Sequence, residues 1–199
     1  MGEPNGEALP VRPWRHGLHV LTGLIIVGLH AAPWPEREVL VVGLGALVAS
    51  LLLFDLARLL HEPLNRAFFR AFPRLLAPRD AGRPAGSTWF VLGCVVAVAT
   101  FPPSVATAGI LVLALADPAA ALVGTRWASP RLGKGSVSGS LTFGAVSFLV
   151  LLPFAPPVVA GVTAVATTMV EALPRVADDN VLIPVVAGAV LWSLLPLGV

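Results

Sequence analysis

Residues 105–127 read "VATAGILVLALADPAAALVGTRW", an apolar run interrupted by one carboxylate, Asp117, with Pro118 directly after it. About 20 consecutive apolar residues are what an α-helix needs to cross the hydrocarbon core of a bilayer, and this run has that length. Six more stretches read the same way, at 14–31, 39–60, 87–101, 139–154, 158–173 and 181–197. The clusters "AAPWP", "FPPS" and "PFAPP" punctuate several of them, as turns between helices require. The 199-residue chain is 56% hydrophobic and 12% charged, with a mean hydropathy of +0.86. A soluble domain of this size needs more polar surface.

These features predict an all-α, polytopic transmembrane helical bundle of about seven spans, forming a single domain over 1–199. Residues 1–13 are expected to form a disordered cytoplasmic arm. The first apolar run has no small-residue cleavage site and is followed by many more, so it reads as a retained span and not as a signal peptide. The single cysteine, Cys94, lies inside an apolar run and reads as a small packing residue.

A net charge of +2 gives no general appetite for nucleic acid. The placement of the charges says more. With seven spans, twelve of the thirteen Lys and Arg fall on the side of the amino-terminal arm and of connections 61–86, 128–138 and 174–180, and Arg37 alone falls on the other. The positive-inside rule makes the first side cytoplasmic, with the amino terminus inside. In the 61–86 connection, Leu64, Phe68, Phe72 and Leu75 recur at helical spacing with Arg66, Arg70 and Arg74 between them. That pattern predicts an amphipathic helix lying in the cytoplasmic interface between spans two and three; contact of its arginines with a substrate phosphate is the other reading.

Chemistry-bearing residues gather toward the same face. "VEALPRVADDN", residues 170–180, places Glu171, Asp178 and Asp179 within nine positions, three of the chain's eleven carboxylates, with Asn180 adjoining. Clustered acids repel one another unless a cation such as Mg²⁺ is shared with substrate phosphates; a solvated turn, with Glu171 paired to Arg175 four residues on, is the competing reading. Asp117 with Pro118 is expected to break or kink its helix, which is tolerated where a helix lines a polar cavity. "GKGSVSGS", residues 133–140, offers Gly133, Lys134, Gly135, Ser136, Gly139 and Ser140 just before span five, where backbone amides and a helix start could cradle phosphate oxygens. It also reads as a plain glycine-rich linker, and it is not a Walker A sequence. Arg15 and His19, and likewise Asp55 and Arg58, share helical faces at the cytoplasmic ends of spans one and two; each pair reads equally well as a structural salt bridge or snorkelling anchor or as part of a cytoplasmic cleft shared by the spans.

"WRHGLHVLTG", "FDLARLLHEPLNRAFFR", "PRDAGRPAGSTWFVLG", "ADPAAALVGTRW", "GKGSVSGSLTFGAVSF" and "VEALPRVADDNVLIPVVAG", in this order, resemble the membrane lipid kinases that include dolichol kinase, phytol kinase and the CTP-dependent diacylglycerol kinase. The resemblance implies transfer of the γ-phosphoryl group of CTP, or of another nucleotide, to the hydroxyl of a membrane lipid alcohol. On that reading Asp117, Glu171, Asp178 and Asp179 hold Mg²⁺. Lys134, Gly133, Gly135, Ser136, Gly139, Ser140, Arg15, Arg58 and Asn180 contact the nucleotide, and Asp117, Asp179 or His19 accepts the hydroxyl proton. Gly135 and Ser138 depart from the family pattern, which has Lys and Glu at those places. Cytidylyl transfer to phosphatidate would use a similar acidic interface. A transporter is the alternative from another class, though the charge lies on one face and no inverted repeat is visible.

Overall fold

The computed structural model describes residues 13–127, 129–173 and 177–195; the amino-terminal arm and Arg175 lie outside them. Among the described residues there are eight α-helices: α1 (Pro13–Ala31), α2 (Arg37–Leu60), α3 (Glu62–Ala71), α4 (Gly86–Thr100), α5 (Pro103–Arg126), α6 (Val137–Leu151), α7 (Pro157–Ala172) and α8 (Asp179–Leu194). A short 3-10 turn, Pro78–Ala81, precedes α4, and a two-stranded hairpin, β1 (Arg131–Leu132) and β2 (Gly135–Ser136), precedes α6. Every long helix coincides with an apolar run, and α5 and α7 begin at prolines whose missing N–H is harmless in a first turn.

Helix α5 is the axis of the fold. It packs against α1, α6 and α8, and Ala106, Ala108, Ile110, Val112, Leu113, Ala114 and Ala116 are buried around its circumference. Of the break or kink expected at Asp117-Pro118, the break does not occur: α5 runs without interruption from Pro103 to Arg126 with Pro118 inside it. Proline removes one amide donor and crowds the preceding turn, and here close packing on three sides keeps the helix whole.

The distribution of polarity is inverted relative to a soluble domain. Val42, Leu53, Leu141, Val158 and Val165 are exposed, whereas Asp55, Arg58, Asp80, Thr88, Ser140, Ser147, Thr163 and Thr167 are buried. An apolar outer surface with polar groups within is what a lipid environment favours. Among the described residues α2 and α5, each of 24 residues, are long and apolar enough to cross a membrane, while α4, α6, α7 and α8 are shorter apolar helices. Arg37 donates from Nε to the Val98 carbonyl at 2.8 Å and from Nη2 to Ala99 and Phe101 at 3.0 and 3.1 Å. It therefore satisfies the carboxyl end of α4, whose last carbonyls have no helical donors.

The amphipathic helix exists but is shorter than its pattern. Helix α3 is capped by His61, whose ring accepts from the Leu64 amide at 3.3 Å, and ends at Ala71. Phe72 and Leu75 lie beyond it and turn back toward the bundle, where they line a cavity with Phe68.

Candidate functional site

The start of α1, the end of α2, the starts of α4, α6 and α8, and the ends of α5 and α7 meet at one end of the bundle, joined by side-chain hydrogen bonds. Small residues make the approach close. A Cβ on Gly93 of α4 would stand 2.1 Å from the Asn180 carbonyl oxygen, so α4 and the first turn of α8 cross with no room for a side chain. Gly124 and Gly139 do the same for α5 and α6.

Helix α8 begins on acids. Asp178 accepts the Asn180 amide at 3.2 Å as its N-cap and the Asn180 side-chain amide at 2.7 Å, and Arg83 reaches it at 3.6 Å. Asn180 also donates weakly to the Gly86 carbonyl of α4, at 3.5 Å. Asp179 bonds the ammonium of Lys134. Both carboxylates lie at the positive end of the α8 dipole, where negative charge is favoured. Across from them Glu171, at the end of α7, accepts the Ser140 hydroxyl of α6 at 3.1 Å. Half-buried Asp117 stands within electrostatic range of Glu171, Asp179, Arg15, His16 and His19. Asp117, Glu171 and Asp179, separated in sequence, thus lie within electrostatic range of one another.

The hairpin docks on this cluster. Gly133 has φ +57°, and a Cβ there would lie 2.0 Å from the Ala172 carbonyl oxygen; only glycine suits the position. The Lys134 amide donates to that same carbonyl at 3.1 Å, which caps α7 and carries the Lys134 side chain across to α8. The expected phosphate cradle of free amides is partly used up within the protein. The amides of Val137, Ser138 and Gly139 donate to the Pro130 carbonyl, the Ser129 hydroxyl and the Ser136 hydroxyl at 3.0, 3.0 and 3.2 Å. Ser136 is the N-cap of α6, so the cation of Lys134 is the hairpin's more available anion-binding group.

Arg58, expected at the nucleotide, is instead fully buried. Its Nε donates to Asp55 at 2.6 Å, Nη1 to the Asn65 side chain at 3.0 Å and the Asp80 carbonyl at 2.8 Å, and Nη2 to the Arg83 carbonyl at 2.7 Å. The Phe68 ring lies 5.1 Å from its guanidinium carbon. The other oxygen of Asp55 accepts the Ala85 amide at 3.0 Å and the Thr88 hydroxyl at 2.7 Å. This network pins the 61–86 connection to α2 and α4. Thr88, Arg83 and Asn65 were not singled out from the sequence; a hydroxyl in the first turn of an apolar helix, "GSTW", is the one signal that pointed to a partner there.

His19 is 7% exposed and meets the Phe90 ring edge-on, with centroids 4.8 Å apart. Its Nδ1 lies 2.9 Å from the Arg15 carbonyl. A carbonyl can only accept, so Nδ1 carries the hydrogen and Nε2 of the neutral ring holds the lone pair. That Nε2 is buried and has no hydrogen-bond partner among the described residues. The Arg15 guanidinium lies nearby over Gly86, whose added Cβ would meet Nη2 at 2.7 Å.

Among the described residues no three His, Cys, Asp or Glu side chains form a ready-made metal cage. Asp178 is engaged by its cap and Arg83. Asp117, Glu171 and Asp179 supply the hard oxygen donors that Mg²⁺ takes, and Mg²⁺ is ordinarily held by one or two carboxylates together with substrate phosphates. The donor set fits such a shared ion.

An apolar helical bundle in which acids, Lys134, Arg15 and an unpaired imidazole gather at one end has the make-up of a membrane protein with chemistry-bearing groups set together there. Over 104 residues the chain is 36% identical to the phytol kinase of Synechocystis sp., a stretch covering 46% of this chain and 45% of that protein. The chain therefore matches about half the length of this curated relative. This similarity bears out the resemblance to the dolichol and phytol kinase family. No family model and no solved structure matches the chain.

Proposed function

We propose that the chain is an integral membrane lipid kinase of about seven spans, with its amino terminus and active site on the cytoplasmic side. It transfers the γ-phosphoryl group of CTP, or of another nucleoside triphosphate, to the hydroxyl of a lipid alcohol. The observation that carries this reading is the meeting of Lys134, Asp117, Glu171, Asp179, Arg15 and His19 at one end of the bundle, with the phytol kinase similarity in support.

Phosphoryl transfer rests on positioning and charge neutralisation. The lipid hydroxyl oxygen bonds to the γ-phosphorus, the bond from that phosphorus to the β,γ-bridging oxygen breaks, and the nucleoside diphosphate leaves with the electron pair. The hydroxyl proton passes to a base, for which His19 Nε2 has a free lone pair while Asp117 and Asp179 compete for the role. Lys134 exchanges Asp179 for phosphate oxygens when nucleotide arrives, which frees the carboxylate. Arg15 neutralises charge on the acceptor side. One or two of the carboxylates Asp117, Glu171 and Asp179 would hold Mg²⁺ together with the substrate phosphates, whose charge the ion would help neutralise.

The test is purified protein in lipid nanodiscs, given γ-labelled CTP or ATP, Mg²⁺ and a panel of isoprenoid alcohols and diacylglycerol. A labelled phospholipid with release of CDP or ADP is the expected product. Pyrophosphate with a CDP-lipid from phosphatidate would replace the kinase by a cytidylyltransferase. Full turnover in both Asp117→Asn and Asp179→Asn would remove the assignment of the acids.

A further inference from the structure

A cavity of about 350 Å³ opens between α1, α2 and the start of α4, closed on one side by the 61–86 connection. Leu18, Leu51, Phe54, Phe72, Leu75 and Leu76 make most of its wall. None of these six takes part in the proposed phosphoryl transfer. Its polar lining is Arg15, His19, Asp55, Asp80, Ser87 and Thr88, of which Asp55 is already engaged by Arg58, the Ala85 amide and Thr88. A smaller hollow of about 50 Å³ adjoins it, sharing Leu18, His19 and Ser87 and continuing along Thr22, Phe90 and Val91. A mostly apolar compartment lined also by a cation and by a histidine with an unpaired ring nitrogen has the polarity of a lipid alcohol, hydrocarbon against the wall and hydroxyl at the histidine.

We infer that this cavity binds the hydrocarbon chain of a single-chain lipid alcohol, with the hydroxyl donating to His19 Nε2. The inference rests on the kinase reading and deepens it by naming the acceptor class. Two observations carry it. The buried Nε2, set by the Nδ1 bond to the Arg15 carbonyl, is an acceptor with no partner among the described residues, on a residue that lines the cavity. A lipid hydroxyl supplies the missing donor and removes the cost of a buried unpaired polar atom. The volume lies at the low end of the range of roughly 300–1,000 Å³ typical of ligand pockets, which suits one chain and not two lying abreast. Helices α1 and α2 touch only sparsely, and Leu21, Leu24, Leu52 and Leu53 on their outer faces are exposed. The distal part of a long chain can therefore leave sideways along an apolar surface.

The head of the cavity also adjoins the acids. Arg15 lies against Gly86, to whose carbonyl Asn180 donates, and it stands within electrostatic range of Asp117 and Asp178. A hydroxyl held at His19 thus sits on the border between the apolar compartment and the acidic cluster, where an acceptor must be to meet a triphosphate.

The test is photolabelling without nucleotide. Protein in nanodiscs is irradiated with a single-chain isoprenoid alcohol carrying a diazirine near its tail, and labelled peptides are mapped by mass spectrometry. Label is expected on Leu51, Phe54, Phe72, Leu75 and Leu76, displaced by untagged single-chain alcohol about tenfold more effectively than by diacylglycerol. Ser87→Trp, at an exposed rim position, should lower that labelling about tenfold while leaving the unfolding temperature unchanged. Label spread over outward-facing Val42 and Leu53, or equal displacement by diacylglycerol, would overturn the inference. Cavity labelling in a protein that phosphorylates no lipid would keep the site and remove the kinase reading. Turnover with label only elsewhere would do the reverse.

Discussion

The ammonium of Lys134 bonds the carboxylate of Asp179, and through that contact the 131–136 hairpin is tied to the first turn of α8. Both side chains are about one-third exposed, at 32% and 29%, so the pair adds little stability, on the order of 0–1 kcal/mol. Its position matters more than its strength. Lys134→Met is expected to leave the unfolding temperature in detergent nearly unchanged while lowering phosphoryl transfer by about 10²–10³-fold, as loss of a transition-state charge partner does. Equal turnover in the variant and the parent would show that Lys134 does not touch phosphate.

Arg58 should behave oppositely. With the guanidinium and the Asp55 carboxylate both buried, Arg58→Met leaves an unpaired acid and two carbonyls without donors. Breaking such a pair costs about 3–5 kcal/mol. Thermal unfolding followed by tryptophan fluorescence should register a large drop in stability, and a milder Arg58→Lys should recover only part of it because a single ammonium cannot reproduce the fork.

Gly93→Ala tests the crossing of α4 and α8. Its Cβ would collide with the Asn180 carbonyl, displacing the turn that carries Asp178 and Asp179, at a cost of about 1–3 kcal/mol. Gly45→Ala in α2, with nothing within 4 Å of its Cβ, is the matched control and should be neutral or slightly stabilising. Similar stability losses in the two variants would contradict the close packing.

Chelation should abolish turnover reversibly. If Glu171 shares a metal with substrate phosphates, Glu171→Gln should raise the Mg²⁺ concentration giving half-maximal rate by about tenfold or more, read from a Mg²⁺ titration at fixed nucleotide. An unchanged Mg²⁺ requirement would confine Glu171 to its hydrogen bond with Ser140.

The helices were legible because apolar runs and proline-glycine punctuation set their limits locally: the 105–127 run and α5 (Pro103–Arg126) differ by two residues or fewer at either end. Continuity through Pro118 was not, since proline's local preference gave way to packing against α1, α6 and α8. The burial of Arg58 also escaped notice, because three of its four acceptors belong to a connection whose path no periodicity records. The pairing of Lys134 with Asp179 spans 45 positions and follows from the docking of Gly133 on Ala172, a contact that the spacing of residues alone does not encode. The His19 tautomer likewise follows from the contact with the Arg15 carbonyl, which the sequence does not display.

The apolar cavity draws all its lining from residues 15–88, whereas Asp117, Lys134, Glu171 and Asp179 come from later in the chain. If the cavity takes the acceptor and the acids and Lys134 take the donor, as proposed, the two tasks are written in separate stretches of the polypeptide, bridged at Arg15 and His19. Exchanging the first stretch between related proteins would then transplant a taste for one lipid without disturbing the phosphate chemistry, a separability that would let substrate diverge one half at a time.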